Sequence, residues 1–159
     1  MDEGQLEVLA VRLGAYLTER GQSIATAESC TGGWLAQVIT AIPGSSAWFE
    51  RGFVTYSNDA KVEMLGVDPQ IIGRYGAVSE ETVTAMVAGA LARSRASCAI
   101  AVTGVAGPAG GTPAKPVGTV FIAWLEKGGV PLVARQQFSG DRHQIRAQSV
   151  QTALEGAMR

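Results

Sequence analysis

A chain of 159 residues, 47% hydrophobic and 17% charged, is long enough to bury a core of its own and lacks the composition of a disordered segment. The formal net charge of −1 and the pI near 5.8 argue against the basic surface needed for nucleic acid or an anionic membrane, so a small polar ligand fits better. Two cysteines and one histidine are too few to predict a disulfide framework or a zinc site. Neither a signal peptide nor a segment that spans the bilayer is expected, so the expected compartment is the cytoplasm.

The first third of the chain is predicted to alternate helices and strands. Apolar residues at helical spacing predict an amphipathic helix over residues 5–20, and Gly21 occupies a C-cap position. A strand is expected over residues 23–27, a helix over 34–41 and a second strand over 49–56.

Three helices are expected next. Ser57 or Asn58 caps a short helix that ends near Gly66, and the following Asp-Pro pair begins another short helix. A longer helix is predicted over residues 79–95, with two glutamates in its first turn to complement the helix dipole.

The rest of the chain predicts three strands and a final helix. Residues 98–103 form an apolar run typical of a strand buried on both faces. Residues 117–125 and 130–138 predict two strands that pair antiparallel across a glycine turn, and a helix is expected over residues 142–158. This order of elements predicts a mixed sheet covered by helices on both faces.

A turn of small residues, Ala-Glu-Ser-Cys-Thr-Gly-Gly at residues 27–33, follows the first predicted strand and opens a helix. A serine in such a turn can act as a nucleophile, and nearby N–H groups can stabilise an oxyanion. The same residue types are also ordinary helix caps and loop residues. Ser29 and Cys30 point in different directions, so one of them is expected to face a site; Ser29 is preferred, although periodicity does not decide between them.

A nucleophilic serine needs a base, and two residues are candidates. His143 has no acidic partner that the spacing assigns, and is more typical of a solvated residue at the start of a helix. Lys61 lies one turn into the helix after the second strand, where burial would lower the pKa of its amine. Tyr56, at the strand end, is placed to relay or orient the proton. An exposed lysine and a tyrosine at the edge of the core are the alternatives.

Two further segments are typical of anion binding. A Gly/Pro loop over residues 103–118 follows a buried strand, and its amides, with Lys115, suit a phosphate. Arg142 opens the last helix, where its donors and the helix dipole favour an anion. A surface connection and a surface arginine are the alternatives.

Seven short motifs occur in order along nearly the whole chain: AESCTGG at 27–33, PGSS at 43–46, VTYSN at 54–58 with Lys61, GAVS at 76–79, TGVAGP at 103–108, KPVGT at 115–119 and GDR at 140–142. Together these motifs resemble the CinA carboxyl-terminal-domain family, the stand-alone nicotinamide-nucleotide amidases.

The resemblance implies a single domain over residues 1–159 with a three-layer α/β/α fold and a mixed, mostly parallel sheet that includes an antiparallel hairpin. It implies hydrolysis of the carboxamide of nicotinamide mononucleotide to nicotinate mononucleotide and ammonia, a step of pyridine-nucleotide salvage, without a metal or other cofactor. Larger family members carry another amino-terminal domain, so the amidase activity alone is expected. A homodimer is also expected, and Trp34, Trp48 and Phe49 are candidates either for apolar contacts between its subunits or for the core.

The resemblance also implies roles for individual residues. Ser29 would be the nucleophile, Lys61 the general base and Tyr56 the hydroxyl that links them. Thr103 and Arg142 would contact substrate. The mechanism expected of such a site adds oxyanion donors among the amides of Thr31, Gly32 and Gly33, and contacts from the loop residues Gly104, Ala106 and Gly107 to the phosphoribosyl portion. A nucleotide-binding module without catalysis, and a serine hydrolase of another small amide, remain alternative functions.

Overall fold

The computed structural model describes residues 2–159. Its helices are α1 (Glu3–Glu19), α2 (Trp34–Thr40), α3 (Asn58–Leu65), α4 (Pro69–Tyr75), α5 (Glu80–Ala92) and α6 (Arg142–Gly156). Its strands are β1 (Ile24–Glu28), β2 (Phe49–Val54), β3 (Cys98–Gly104), β4 (Thr119–Glu126) and β5 (Leu132–Gln137). These bounds lie within a few residues of the predicted ones. No helix between Asp2 and Arg159 is long and apolar enough to cross a membrane.

The five strands form one sheet in the order β2-β1-β3-β4-β5. β1 lies between β2 and β3 and pairs with both in parallel. β4 pairs antiparallel with β3 and with β5, so it alone runs in the opposite direction. The mixed sheet and its antiparallel hairpin are therefore confirmed.

Helices cover both faces of the sheet because its central strands alternate between two cores. On β3, Ile100 and Val102 belong to the core shared with α1, α2 and α6. The intervening Ala99 and Ala101 belong to the core shared with α3, α4 and α5. This is the predicted three-layer α/β/α arrangement.

Polar caps fix where the helices near the sheet edge begin. The hydroxyl of Ser57 accepts a hydrogen bond from the Ala60 N–H at 3.0 Å, and the carboxylate of Asp141 accepts one from the Gln144 N–H at 2.9 Å. These caps start α3 and α6 directly after turns at the same edge, which positions Lys61 and Arg142 there.

Trp48 belongs to the core instead of a free apolar surface. Its side chain is 5% exposed and packs against Gly14, where an added Cβ would lie 2.7 Å from the indole ring. The short 3₁₀ turn Ser45–Ala47 leads into this position and was not predicted. Trp48 is therefore not available as a contact between copies of the chain.

Candidate active site

A cleft of about 300 Å³ lies at the edge where β1, β2 and β3 end. Because these strands are parallel, the loops that follow them meet at one edge of the sheet. Of the eleven predicted site residues, eight line this cleft: Ser29, Tyr56, Lys61, Thr103, Gly104, Ala106, Gly107 and Arg142.

Lys61 contacts Ser29 directly inside this cleft. The Nζ atom of Lys61 lies 2.9 Å from the Oγ atom of Ser29. Its other partners are the main-chain carbonyls of Thr55 at 2.9 Å and Tyr56 at 3.1 Å, and the side chain is 1% exposed. A neutral amine has two N–H groups, which match the two carbonyls, and one lone pair, which then faces the serine hydroxyl.

Burial favours this neutral state. Removal from water is the main effect on the Lys61 amine and lowers its pKa. None of the hydrogen-bond partners of the amine is a carboxylate. The amine is therefore suited to accept the proton of Ser29.

Tyr56 does not stand between the other two residues. Its main-chain carbonyl, not its hydroxyl, faces Lys61. Its side chain is 61% exposed, and its hydroxyl accepts a hydrogen bond from Nη2 of Arg142 at 3.2 Å. The expected link through the Tyr56 hydroxyl is replaced by the direct contact between Lys61 and Ser29.

The alternative nucleophile and base are both poorly placed. Cys30 is 6% exposed, and burial, aided by the negative charge of Glu28, raises the pKa of its thiol to about 12. The thiol therefore stays protonated at neutral pH. The ring of His143 lies against Trp34, with 5.1 Å between the ring centroids, and His143 does not line the cleft.

Three predicted contacts of the substrate, Thr31, Gly32 and Gly33, lie outside the cleft. The hydroxyl of Thr31 is buried and donates to the Glu28 carboxylate at 2.6 Å. The N–H of Gly32 donates to the Ser29 carbonyl at 3.0 Å, so it closes the turn. Gly33 adopts φ +101° before α2 and lines a separate depression with Gly32. The turn winds away from the cleft after Cys30, so the structure does not bring these three residues together with the other eight.

Glu28 anchors the turn, a role that the sequence analysis missed. Its side chain is 1% exposed and accepts hydrogen bonds from the N–H groups of Leu35 at 2.8 Å and Ala36 at 3.1 Å. It thereby ties the end of β1 to the start of α2. The available signal was a charged residue at the end of an otherwise apolar strand.

Arg146 holds the same turn from α6 and was also missed. Its Nε atom donates to the Cys30 carbonyl and its Nη2 atom donates to the Thr31 carbonyl, both at 3.0 Å. Arg146 follows Arg142 by four residues, which places both on one face of the helix. That spacing was the available signal.

The part of the cleft lined by Arg142 and the loop after β3 is suited to an anion. Nη1 of Arg142 donates to the Gly107 carbonyl at 2.7 Å, which fixes the guanidinium at the cleft. Thr103, the residue before the last one of β3, donates to the Ala77 carbonyl at 2.9 Å. Among the described residues that line the cleft, none is acidic. Across residues 2–159, no three His, Cys, Asp or Glu side chains cluster closely enough to hold a metal ion.

The chain is similar to known proteins over nearly its whole length. The family model described as the CinA C-terminal domain matches residues 6–159. The nicotinamide-nucleotide amidohydrolase PncC of Pseudomonas putida is 54% identical, over 96% of this chain and 95% of its own length. The protein of the same name from Escherichia coli K12 is 50% identical, over 98% and 94%. The crystal structure of the competence/damage inducible protein CihA from Agrobacterium tumefaciens superposes with a TM-score of 0.93 at 49% identity, covering 95% of this chain and 92% of that one.

Proposed function

The chain belongs to the CinA C-terminal domain family, and we propose that it hydrolyses the carboxamide of nicotinamide mononucleotide to nicotinate mononucleotide and ammonia. The names of relatives about half identical over nearly the whole chain support the substrate. The observation that carries the chemistry is the 2.9 Å contact between the buried Lys61 amine and the Ser29 hydroxyl.

The reaction begins when Ser29 Oγ attacks the carboxamide carbon while its proton passes to Lys61 Nζ. The tetrahedral intermediate collapses as the Lys61 ammonium protonates the leaving nitrogen. Ammonia departs and a nicotinoyl ester remains on Ser29. Lys61, neutral again, takes a proton from water as the water oxygen attacks the ester carbon. The Lys61 ammonium then returns this proton to Ser29 Oγ as the bond between that oxygen and the acyl carbon breaks, and the product acid loses its own proton to solvent and leaves as the carboxylate.

The remainder of the nucleotide binds away from the reacting bond. The guanidinium of Arg142 binds the phosphate, a role supported by its position in the cleft lining and by its hydrogen bond to the Gly107 carbonyl. The loop that contains Gly104 and Gly107 offers main-chain groups in the same cleft. Binding energy from this remote part of the substrate positions the carboxamide at Ser29.

The first test is ammonia release from nicotinamide mononucleotide by chelator-treated protein. We expect turnover by the wild type, loss in Ser29→Ala, and full activity in the matched control Ser139→Ala, whose serine is exposed and outside the cleft. Binding of the mononucleotide by folded wild-type protein without ammonia release would instead indicate a binding module. Turnover of a different small amide only would indicate another serine hydrolase.

The cellular setting is a further part of the proposal. The reaction belongs to pyridine-nucleotide salvage, with the cytoplasm as the expected compartment. A homodimer is the expected assembly, and light scattering distinguishes it from a monomer of 16.5 kDa.

A further inference from the structure

A continuous chain of hydrogen bonds runs from Arg146 to the residue after the nucleophile. Nη2 of Arg146 donates to the Thr31 carbonyl at 3.0 Å. The other end of that peptide group is the Gly32 N–H, which donates to the Ser29 carbonyl at 3.0 Å. The other end of this second peptide group is the N–H of Cys30.

The Cys30 N–H is the free end of this chain. It donates to no other residue among residues 2–159, and Cys30 lines the cleft beside Ser29. In a trans peptide the N–H points opposite to the C=O, so fixing the carbonyls of Thr31 and Ser29 also fixes the directions of the N–H groups. A free N–H next to a nucleophilic serine is the kind of donor that stabilises an oxyanion.

We propose that Arg146 is a positioning residue that orients and polarises the Cys30 N–H as an oxyanion donor for attack by Ser29. The mechanism rests on the proposed amidase function. Hydrogen bonds in series polarise one another, and the charged guanidinium begins this series. Arg146 also donates to the Cys30 carbonyl at 3.0 Å and lies 5.4 Å from the ring of Trp34, so the guanidinium is held from two sides.

Arg142 and Arg146 are therefore expected to differ in what they contribute. Arg142 lines the cleft and contacts substrate under the proposed function, so its loss raises KM. Arg146 does not line the cleft and acts through the peptide groups of the turn. Its loss lowers kcat, because the interaction strengthens as charge develops on the oxyanion.

The test compares Arg146→Met and Arg146→Lys with the wild type. We expect Arg146→Met to lower kcat by about 10- to 100-fold, a part of the loss seen when an oxyanion donor is removed. KM for nicotinamide mononucleotide is expected to stay within about twofold of the wild-type value, because the substitution leaves the binding of the substrate in its ground state unchanged. The midpoint of the pH profile is also expected to stay at its wild-type value, because Arg146 is not a hydrogen-bond partner of the Lys61 amine. Arg146→Lys, with a single donor group, should lose less.

Arg51→Met is the matched control. Arg51 lies near the start of β2 and outside the cleft, and like Arg146 it donates to a main-chain carbonyl, that of Arg93, at 3.1 Å. This variant should keep the wild-type kcat. Added guanidinium at millimolar concentration should restore part of the activity of Arg146→Ala. An unchanged kcat in Arg146→Met, or a loss that appears only in KM, would overturn the proposal.

A second readout does not depend on the nucleotide. A fluorophosphonate reacts at Ser29 by forming a P–O bond and expelling fluoride, while the serine proton passes to Lys61, and its phosphoryl oxygen takes the place of the oxyanion. Labelling should slow about tenfold or more in Arg146→Met. If the wild type is labelled but releases no ammonia from the mononucleotide, the proposed substrate fails while the labelling rates still decide the role of Arg146. Equal labelling of both variants, or none of the wild type, counts against the proposal.

Discussion

Lys61 differs from an ordinary helix lysine because its amine is buried and hydrogen-bonded to one hydroxyl and two carbonyls, with no carboxylate among these partners. A carboxylate would stabilise the ammonium and hold the proton on nitrogen. Neutral carbonyls stabilise the ammonium less than a carboxylate would. The loss of hydration on burial is therefore the larger effect, and it lowers the pKa of Lys61. The same environment leaves the lone pair of the neutral amine directed at Ser29.

The pH dependence of activity follows from this shift. The base works only when neutral, so kcat/KM should be low at acid pH and rise through the pKa of Lys61, with a midpoint below the ordinary value of 10.5. Lys61→Met should lower kcat by about 10²- to 10⁴-fold, the usual contribution of a general base. Lys61→Arg should also fail, since a guanidinium stays protonated. The exposed Lys127 supplies the control Lys127→Met, and a flat acid limb would contradict the assignment.

Substitution of Tyr56 distinguishes direct proton transfer between Ser29 and Lys61 from a relay through the Tyr56 hydroxyl. Its hydroxyl contacts Arg142 and not Lys61, so Tyr56→Phe should leave kcat within about threefold and raise KM by about two- to tenfold, the equivalent of one hydrogen bond. Steady-state kinetics on the mononucleotide measures both constants. A fall of kcat by about 10²-fold or more would restore a proton relay through the phenol.

The sequence predicted which residues meet at the site better than it predicted how their side chains and main-chain groups are oriented there. Strand ends in a parallel sheet bring Ser29, Lys61 and Thr103 to one edge, which is a property of topology. Whether Tyr56 presents its hydroxyl or its carbonyl to Lys61 depends on the backbone of the turn after β2. No periodic pattern encodes that choice, and the same is true of Gly32, whose N–H closes the turn.

Helices and strands were predictable where a capping residue or the periodic spacing of apolar residues marks them. Ser57, Ser79 and Asp141 each cap the helix assigned to them, and Gly66 ends α3 in the left-handed region. The 3₁₀ turn Ser45–Ala47 was not predictable, because three residues are too few to show a period.

Glu28 should matter for the stability of the join between β1 and α2. Glu28→Ala leaves the buried Thr31 hydroxyl and the N–H groups of Leu35 and Ala36 without an acceptor, and should lower the free energy of unfolding by about 2–4 kcal/mol. Urea denaturation measures the change. Asp68→Ala removes an exposed helix cap and should cost about 1 kcal/mol. Similar losses in the two variants would show that the buried contacts of Glu28 add little.

At the scale of the whole molecule, the two helical layers contribute different parts of the site. Lys61 comes from the layer of α3, α4 and α5, while the turn after Ser29 is held from the opposite layer by Arg146 of α6. The sheet lies between them, so the distance from Lys61 to Ser29 depends on how closely each layer packs. Small residues such as Ala99 and Ala101 permit this close approach on the α5 side.

Gly89 of α5 gives a direct test of this dependence, because a Cβ there would overlap the carbonyl oxygen of Leu65, the last residue of α3. Gly89→Ala should lower the free energy of unfolding by about 1–3 kcal/mol, the cost of overpacking. It should also lower kcat by about tenfold or more, since α3 carries Lys61 away from Ser29. Gly73→Ala, in α4 with no atom within 4 Å of the added Cβ, should instead stabilise by roughly 0.5–1 kcal/mol and leave kcat unchanged. A Gly89→Ala variant that loses stability but keeps its kcat would show that the turns at the sheet edge, and not the packing of the layers, set the position of the base.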